Sequence, residues 1–222
     1  MILEFRNVTK NFGSIEALKS VSFAIDDGEL VFITGPSGAG KTTLLKLLLR
    51  GERPTSGEII FDGKSVGKMK RRDIPKLRQK VGVVFQDFKL LNEKTVRENC
   101  NIALAISKNP NSEWNARVEH VLDLVGLQDR SELFPSQLSG GELQRAALAR
   151  ALVVNPKIIF ADEPTGNLDW DTAEEVMKLL KKIHDEGKTV IVTTHNKKII
   201  KEYRARLLEL KNGELVKDSE KA

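Results

Sequence analysis

Short apolar runs bounded by polar residues recur along the chain and predict parallel strands covered on both faces. They occupy residues 29–33, 81–85, 158–161 and 190–193. A strand that is buried on both faces has no side in solvent, so its apolar residues are consecutive instead of alternating with polar ones. The pattern therefore predicts an α/β core built on a parallel sheet.

A second pattern alternates apolar and polar residues, as in strands with one face in solvent. It covers residues 2–8 and 21–25, and a third run at 58–61 lies between the turn sequences Pro54–Gly57 and Asp62–Gly63. Gly and Pro at these turns support short connections between neighbouring strands. We expect these three runs to form an antiparallel layer beside the parallel strands.

Helical spacing replaces the strand signals between residues 96 and 133. Val118, Val121, Leu122 and Val125 follow the i, i+3, i+4, i+7 pattern of one helix face. A helical subdomain inserted into the sheet domain is expected here, and a further amphipathic helix over 171–186. The chain is thus predicted as a single domain over residues 1–222, divided into a sheet core with its β layer (1–91 and 134–217), a helical subdomain (92–133) and a tail (218–222).

Length and composition agree with one large domain or a domain with a modest subdomain. The 222 residues are 40% hydrophobic, which is enough to bury a core. The single cysteine, Cys100, excludes an internal disulfide and lies in an apolar segment, so we interpret it as a core thiol. No apolar run approaches the roughly 18 residues of a membrane span, and Met1 opens directly into a strand pattern. We expect a cytoplasmic protein.

The net charge of +5 comes from one segment. Residues 64–80 contain eight Lys and Arg against one acid, a balance of +7, whereas the rest of the chain has a balance of −2. A solvated helix face is the simplest interpretation. Contact with anionic lipid headgroups is the more specific interpretation. Nucleic acid ranks third and is not expected, because no aromatic residue is interleaved for base stacking.

A glycine-rich loop follows the first apolar run and matches the Walker A pattern from Gly35 to Thr42, with Lys41 before the final hydroxyl residue. A leucine-rich helix is predicted directly after it, over 41–50. Backbone N–H groups of such a loop converge on phosphate, Lys41 reaches the β- and γ-phosphates and Thr42 holds Mg²⁺. The nucleotide-binding residues that this loop predicts are Gly35, Pro36, Ser37, Gly38, Ala39, Gly40, Lys41, Thr42 and Thr43.

Two carboxylates, Asp162 and Glu163, end the apolar run at 158–161. Ligands of open α/β sheets collect at the carboxyl ends of the strands, so both acids are expected in the site. Asp162 suits Mg²⁺, directly or through water, and Glu163 suits polarising the attacking water. The alternative is a cap of the next helix, but Pro164 follows at once and the next helical pattern begins only near Asp171.

Six motifs in this order resemble the nucleotide-binding domain of ABC ATPases. They are GPSGAGKT, Gln86 after the run 81–85, LSGGELQR, FADE, the string Gly166–Asp169 and His195 after the run 190–194. The likeness extends from about residue 2 to residue 217. It implies a P-loop NTPase of ABC type, with a mixed sheet core, an antiparallel β layer and an inserted helical subdomain, which hydrolyses ATP to ADP and phosphate with Mg²⁺.

The resemblance also implies roles for single residues. Phe12 stands where these ATPases place an aromatic ring against adenine, although tyrosine is more usual there. Gln86 would sense Mg²⁺ and the attacking water, so the implied metal site comprises Thr42, Gln86 and Asp162. His195 would bind the γ-phosphate and orient Glu163, which makes Glu163, His195 and Gln86 the predicted catalytic residues.

One group of residues is implied to act on the partner subunit's nucleotide. It consists of the signature residues at the start of a helix predicted over 142–153, namely Ser139, Gly140, Gly141 and Glu142. Asp169 would cross the same interface. Since each chain carries one Walker A loop and one signature, a head-to-tail homodimer would close two identical sites.

Within the family, the likeness is closest to the ATPases of bacterial cell division, and it is carried by residues 75–91 and 94–99. Those ATPases work with a four-span membrane protein and couple ATP to activation of cell-wall hydrolases. The resemblance implies a peripheral position on the inner face of the plasma membrane, where the basic segment would meet lipid. Three alternatives stay open: an ATPase of a lipoprotein-release or macrolide exporter, a DNA-maintenance ATPase, and a nucleotide-switched scaffold.

Overall fold

The computed structural model describes residues 1–107, 110–203 and 205–219, and the following strands and helices lie within these residues. Ten strands are present: β1 Leu3–Phe12, β2 Ile15–Ile25, β3 Leu30–Thr34, β4 Ser56–Phe61, β5 Lys64–Ser65, β6 Val81–Phe85, β7 Ile158–Asp162, β8 Thr189–Thr193, β9 Arg206–Lys211 and β10 Glu214–Ser219. Seven α-helices are present: α1 Lys41–Leu48, α2 Ile74–Gln79, α3 Val96–Ser107, α4 Trp114–Leu124, α5 Gly140–Leu152, α6 Trp170–Asp185 and α7 Lys197–Tyr203. None of these helices combines the length and apolar content needed to cross a bilayer.

The larger sheet has the order β10-β9-β3-β8-β7-β6. Five of its strands are parallel, and β10 pairs with β9 in antiparallel fashion at one edge. Strand β8 is buried along its whole length, as the continuous apolar run predicts. Because the strands β3, β6, β7 and β8 run parallel, the loops that follow them leave the same edge of the sheet.

The smaller sheet has the order β2-β1-β4-β5, with every pair antiparallel. Phe5 and Phe23 stack across the first pair with ring centroids 4.7 Å apart. Alternate residues of β4 turn inward, so Ile59 and Phe61 are buried. Together with α1 and one face of the larger sheet, this layer encloses a hydrophobic core. The antiparallel layer predicted from the alternating pattern is therefore present.

The opposite face of the larger sheet packs against helices. Val118, Val121 and Leu122 of α4 join a core with α3, α5 and α6. Cys100 of α3 is fully buried there, and burial raises the pKa of its thiol to about 12, which agrees with a packing role. Thus α5 has sheet on one side and the helices α3 and α4 on the other.

Several element bounds differ from those expected, and two strands were not predicted. Helix α5 begins at Gly140 instead of residue 142, because Ser139 caps it. Strands β9 and β10 have no counterpart among the predicted strands. Residues 218 and 219, assigned to a tail, are the end of β10, where the Asp218 carboxylate binds Arg206 of β9. The remaining tail residues, 220–222, lie outside the described residues.

Candidate active site

A cavity of about 500 Å³ opens at the carboxyl edge of the parallel strands. Four loops reach it, from the ends of β3, β6, β7 and β8. This is the edge at which open α/β sheets bind their ligands. The lining residues are Pro36, Ser37, Gly38, Ala39, Gly40, Lys41, Thr42, Thr43, Gln86, Asp162, Glu163 and His195.

The glycine loop needs glycine at both ends for steric reasons. A Cβ on Gly35 would lie 2.2 Å from the carbonyl oxygen of Leu210 in β9, and one on Gly40 would lie 2.6 Å from Leu18 Cδ2. Gly40 also has φ of 109°, a backbone region that L side chains rarely adopt. No side chain caps the first turn of α1, so its N–H groups remain available to an anion in the cavity.

Lys41 is the buried cation of the cavity. Its Nζ donates to the carbonyl oxygen of Gly35 at 2.7 Å and lies 3.4 Å from Glu163 Oε1. The next residue, Thr42, donates its hydroxyl to Asp162 Oδ2 at 3.2 Å. The loop and the strand-end acids, 120 residues apart in sequence, are therefore in direct contact.

A buried hydroxyl that we did not single out from the sequence positions both acids. Thr193 Oγ1 donates to Asp162 Oδ1 at 2.6 Å and accepts the backbone N–H of Glu163 at 2.9 Å. Glu163 has φ of 50°, which is uncommon for a residue with a side chain. The contact comes from the neighbouring strand, β8. The sequence signal for it was a threonine one position before the end of the run at 190–194.

His195 and Gln86 flank the carboxylates. His195 Nδ1 lies 3.0 Å from Glu163 Oε2, and the ring is largely exposed. Gln86 Nε2 donates to Asn167 Oδ1 at 3.1 Å, while Asn167 Nδ2 donates to the Gln86 carbonyl oxygen at 3.1 Å. Gln86 lines the cavity, and its side-chain oxygen makes no hydrogen bond to the described residues. Asn167 is a second contact that sequence reasoning left without a role.

Phe12 lies apart from the phosphate end of the site. It ends β1 at the tip of the hairpin with β2, and its ring is 41% exposed. Lys10 Nζ lies 4.6 Å from the ring centroid. The structure therefore presents an accessible aromatic face, but Phe12 is not among the residues that line the cavity.

The signature residues form the start of α5. Ser139 Oγ accepts the N–H of Glu142, whose carboxylate accepts the Ser139 N–H at 2.8 Å, so both close a capping box. The Ser139 N–H and hydroxyl both donate to the Glu142 carboxylate, and these hydrogen bonds, with a further one from Arg130, lower the pKa of Glu142 to about 2. A Cβ on Gly141 would lie 2.4 Å from Thr172 Cγ2, so this glycine lets α5 approach α6. Neither Ser139 nor the two glycines line the phosphate cavity.

Asp169 caps the neighbouring helix, α6. Its carboxylate accepts the Thr172 N–H at 3.0 Å and the Thr172 hydroxyl at 2.7 Å, and these hydrogen bonds lower its pKa below the ordinary value. The side chain is thus held by its own helix at an exposed position.

Comparison with known proteins identifies the family. The family model described as "ABC transporter" matches residues 18–166. The chain belongs to the ABC transporter family. It is an ABC-type ATPase, and the resemblance, the fold class and the ATPase activity expected from the motifs are confirmed.

Curated relatives of this ABC ATPase match almost end to end. "Cell division ATP-binding protein FtsE" of Bacillus subtilis is 46% identical over 98% of the chain and 96% of the relative. The protein of the same name from Mycobacterium tuberculosis is 44% identical over 100% of the chain and 97% of the relative.

A solved structure is similar in fold and sequence. It is described as the dimeric structure of a post-hydrolysis state of the ATP-binding cassette MJ0796 bound to ADP and Pi, with a TM-score of 0.88 and 37% identity. The match covers 100% of this chain and 99% of that one. A nucleotide site is therefore established for this family.

Proposed function

We propose that this ABC ATPase hydrolyses ATP in two composite sites, each made by the Walker A loop of one copy and the signature of a second copy. One observation carries the proposal. The cavity holds the phosphate loop, the two carboxylates and His195, but the capped tip of α5 at Ser139 lies outside its lining. A head-to-tail homodimer would bring that tip, and Asp169 beside it, onto the partner's nucleotide.

Within one site the side chains divide the chemistry of phosphoryl transfer. Lys41 and the N–H groups at the start of α1 bind the phosphates and offset the charge of the transition state. Glu163 accepts a hydrogen bond from the attacking water, and His195, 3.0 Å from its Oε2, fixes the carboxylate. Phe12 offers its exposed face to adenine. We also propose that residues 92–133 form a helical subdomain that responds to the nucleotide through Gln86.

Oxygen donors suited to Mg²⁺ lie together at the edge of the cavity. The Thr42 hydroxyl and the Asp162 carboxylate are in contact, and the side-chain oxygen of Gln86 is free of hydrogen bonds to the described residues. Hard oxygen donors with room for phosphate and water match the preference of Mg²⁺. Thr42, Asp162 and Gln86 would hold the ion, which offsets phosphate charge when bound.

The Glu163→Gln variant tests the composite site. It removes the carboxylate but keeps the size of the side chain and hydrogen-bonding capacity, so ATP should bind without turnover. We expect a stable dimer with ATP and Mg²⁺, a monomer without nucleotide, and hydrolysis at least about a hundredfold slower than in the parent. Light scattering during gel filtration and phosphate release measure these quantities.

A second substitution separates dimer formation from nucleotide binding. Ser139→Arg in the Glu163→Gln background should abolish the dimer and preserve binding of a fluorescent ATP analogue. Turnover at the parent rate in Glu163→Gln, or a dimer that tolerates Ser139→Arg, contradicts the proposal.

We further propose that the ATPase works in bacterial cell division with an integral membrane partner of the FtsX type. The near full-length identity to FtsE proteins supports this function over an exporter subunit. Affinity purification from native membranes, followed by partner identification, tests the proposal. We expect a four-span protein of the cell-division complex. Recovery of a lipoprotein-release or macrolide exporter permease instead contradicts it.

The basic segment supports contact with the inner face of the plasma membrane. Lys80 binds Asp62 at 2.6 Å, Lys68 lies 3.2 Å from Glu58, and Arg78 donates to the Leu49 carbonyl. The other five cations have no side-chain hydrogen bond or ion pair among the described residues: Lys64, Lys70, Arg71, Arg72 and Lys76. Unpaired exposed cations are attracted to anionic headgroups at low desolvation cost.

Vesicle sedimentation tests the lipid contact. The protein should pellet with phosphatidylserine vesicles and stay in solution with phosphatidylcholine vesicles. Arg71→Glu with Arg72→Glu should abolish pelleting, whereas reversing two exposed lysines elsewhere, Lys46 and Lys182, should not. Equal binding to neutral vesicles, or equal loss in both double variants, contradicts a specific basic surface.

A further inference from the structure

The backbone directly after Gln86 has an unusual conformation. Phe88 and Lys89 are consecutive residues with positive φ, 59° and 52°. Residues with a Cβ adopt this left-handed region rarely, and two in succession need support from their surroundings. The segment 87–91 therefore depends on contacts with other parts of the fold.

Two side chains hold this segment. Asn99 of α3 accepts the Leu91 N–H at 2.9 Å and donates to the Leu91 carbonyl oxygen at 3.2 Å. Arg150 of α5 donates to the carbonyl oxygen of Phe88 at 3.0 Å and to that of Lys89. The guanidinium thus binds the two carbonyls of the left-handed pair itself.

The Arg150 contact is selective for a guanidinium. No carboxylate among the described residues pairs with this side chain, and burial lowers its pKa from the ordinary value. Arginine presents several N–H donors in a planar fork, which can reach two successive carbonyl oxygens. A lysine ammonium at the same place is a point charge and would not fix both carbonyls in the same way.

Helix α5 connects this contact to the signature. Ser139 caps its beginning and Arg150 lies in its last turn. Arg150 lies eleven positions after Ser139, which corresponds to about 16 Å along the helix. A single rigid helix therefore carries the residue proposed to bind the partner's nucleotide at one end and the support of the Gln86 loop at the other.

We propose that Arg150 is a positioning residue that holds the segment 87–91 and thereby places Gln86 for hydrolysis. Through α5, engagement of Ser139 with the partner's nucleotide is transmitted to Gln86 in the chain's own site. The inference rests on the proposed function, because it takes Gln86 and Ser139 to act in the composite site.

Arg150→Gln tests the proposal by removing the charge and the fork. We expect kcat for ATP to fall roughly tenfold or more, because a misplaced reacting group slows the chemical step, with KM within about twofold of the parent. Binding of a fluorescent ATP analogue should be retained. Arg150→Lys keeps the charge and should show the same split between kcat and KM, so the test survives if the Gln variant folds poorly. Arg117→Gln, which breaks a pair on the surface of α4, is the control and should leave kcat unchanged.

Rescue separates positioning from general packing. Glycine adopts positive φ without a steric penalty, so Lys89→Gly should favour the loop conformation without the guanidinium. The double variant of Arg150→Gln and Lys89→Gly should recover at least threefold in kcat over Arg150→Gln alone. A parent-like kcat in Arg150→Gln, or no recovery in the double variant, overturns the proposal.

A cycle with Gln86→Ala distinguishes this inference from the proposed function. If Arg150 acts through Gln86, the double variant of Gln86→Ala and Arg150→Gln should be no slower than Gln86→Ala alone. Unchanged turnover in Gln86→Ala contradicts the role of Gln86 and hence the proposed function. If Gln86→Ala is slow and adding Arg150→Gln reduces its turnover by the same factor as in the parent, the inference is contradicted but the proposed function is not.

Discussion

A single buried hydroxyl contacts both acidic residues of the catalytic cavity, one at its carboxylate and the other at its backbone. Thr193 donates to Asp162 and accepts from the backbone N–H of Glu163, so all of its bonding capacity in the site is directed at the two acids. The Glu163 backbone is in a left-handed conformation that this contact helps to hold. Positioning by a neighbour outside the motif is therefore part of the site.

Removal of this hydroxyl should slow hydrolysis more than it weakens ATP binding. Thr193→Val keeps the shape but removes the hydrogen bond to Asp162 Oδ1 and one of two acceptors of the Glu163 N–H, which still donates to the Thr193 carbonyl oxygen at 3.1 Å. The loss should cost about 1 kcal/mol of stability. We expect kcat to fall about tenfold or more and Thr193→Ser to restore most of it. Steady-state kinetics and urea unfolding measure the two effects.

Thr194→Val is the matched control for Thr193. Thr194 is equally buried, but its hydroxyl accepts the Asn196 N–H and touches neither carboxylate. Turnover should stay near the parent rate in this variant. Equal losses in both valine variants would mean that the strand end needs hydroxyls only for stability.

At the scale of elements, the helix that carries the signature depends on its capping box. The Glu142 carboxylate, which accepts hydrogen bonds from Ser139, has a pKa lowered from 4.5 to about 2. A carboxyl with a lowered pKa stabilises the folded state above its unfolded pKa, and this contribution is lost as the pH falls toward the folded pKa. The window for this group is therefore about pH 4.5 to 2.

Glu142→Gln should accordingly be less stable than the parent at pH 6, because the charged hydrogen bonds to Ser139 are lost. The difference in the free energy of unfolding should shrink as the pH falls from about 4.5 toward 2. Urea unfolding at a series of pH values measures it. Glu16→Gln, at an exposed residue of β2, should show no such convergence, and a constant difference for Glu142→Gln would contradict the role of its charge.

The elements that were predicted from the sequence are those whose own residues show a regular apolar pattern. The runs that became β6, β7 and β8 are apolar throughout, and the amphipathic face of α6 repeats at helical spacing. Strand β10 carries mostly exposed and polar residues, so its conformation depends on pairing with β9. The close approach of Gly35 to Leu210 likewise belongs to the tertiary fold and leaves no local signal.

The same distinction applies to the site. Motif residues such as Lys41, Asp162 and His195 could be selected because their residue types and their positions after predicted strands can be recognised in the sequence. Thr193, Asn167 and Arg150 act through contacts with other segments, and their residue types are common on strands, loops and helices. The roles of these three residues follow from the packing of the strands and of α5 in the folded structure.

At the scale of the whole molecule, one side chain joins the two sheets. Arg206 of β9 binds the Asp218 carboxylate through two hydrogen bonds of 2.7 Å, the Glu29 carboxylate at 3.2 Å and the Ala24 carbonyl oxygen at 2.7 Å. The hydrogen bonds to Asp218 and Glu29 raise the pKa of Arg206 above its ordinary value. Glu29 is almost fully buried, and Arg206 is the cation paired with it among the described residues.

Arg206→Met should destabilise the fold by about 3 kcal/mol, because it leaves the buried Glu29 carboxylate without its cation. Urea unfolding at neutral pH measures the change. Arg6→Ala, which breaks an exposed pair with Glu4, should cost far less. If both substitutions lower the free energy of unfolding by the same amount, the contacts of Arg206 between the two sheets do not stabilise the molecule.

Complementation between two inactive chains tests the composite site in the whole assembly. Lys41→Ala damages the phosphate loop, and Ser139→Arg damages the signature, so each variant alone should be inactive. In a mixed dimer, the phosphate loop of the Ser139→Arg chain meets the signature of the Lys41→Ala chain, and one intact site results. An equimolar mixture should therefore regain turnover, at most about half of the parent rate, because only the mixed dimer has an intact site to hold its two chains together and it carries one active site in place of two. Sites built within one chain would recover nothing, because every chain in the mixture carries a damaged motif.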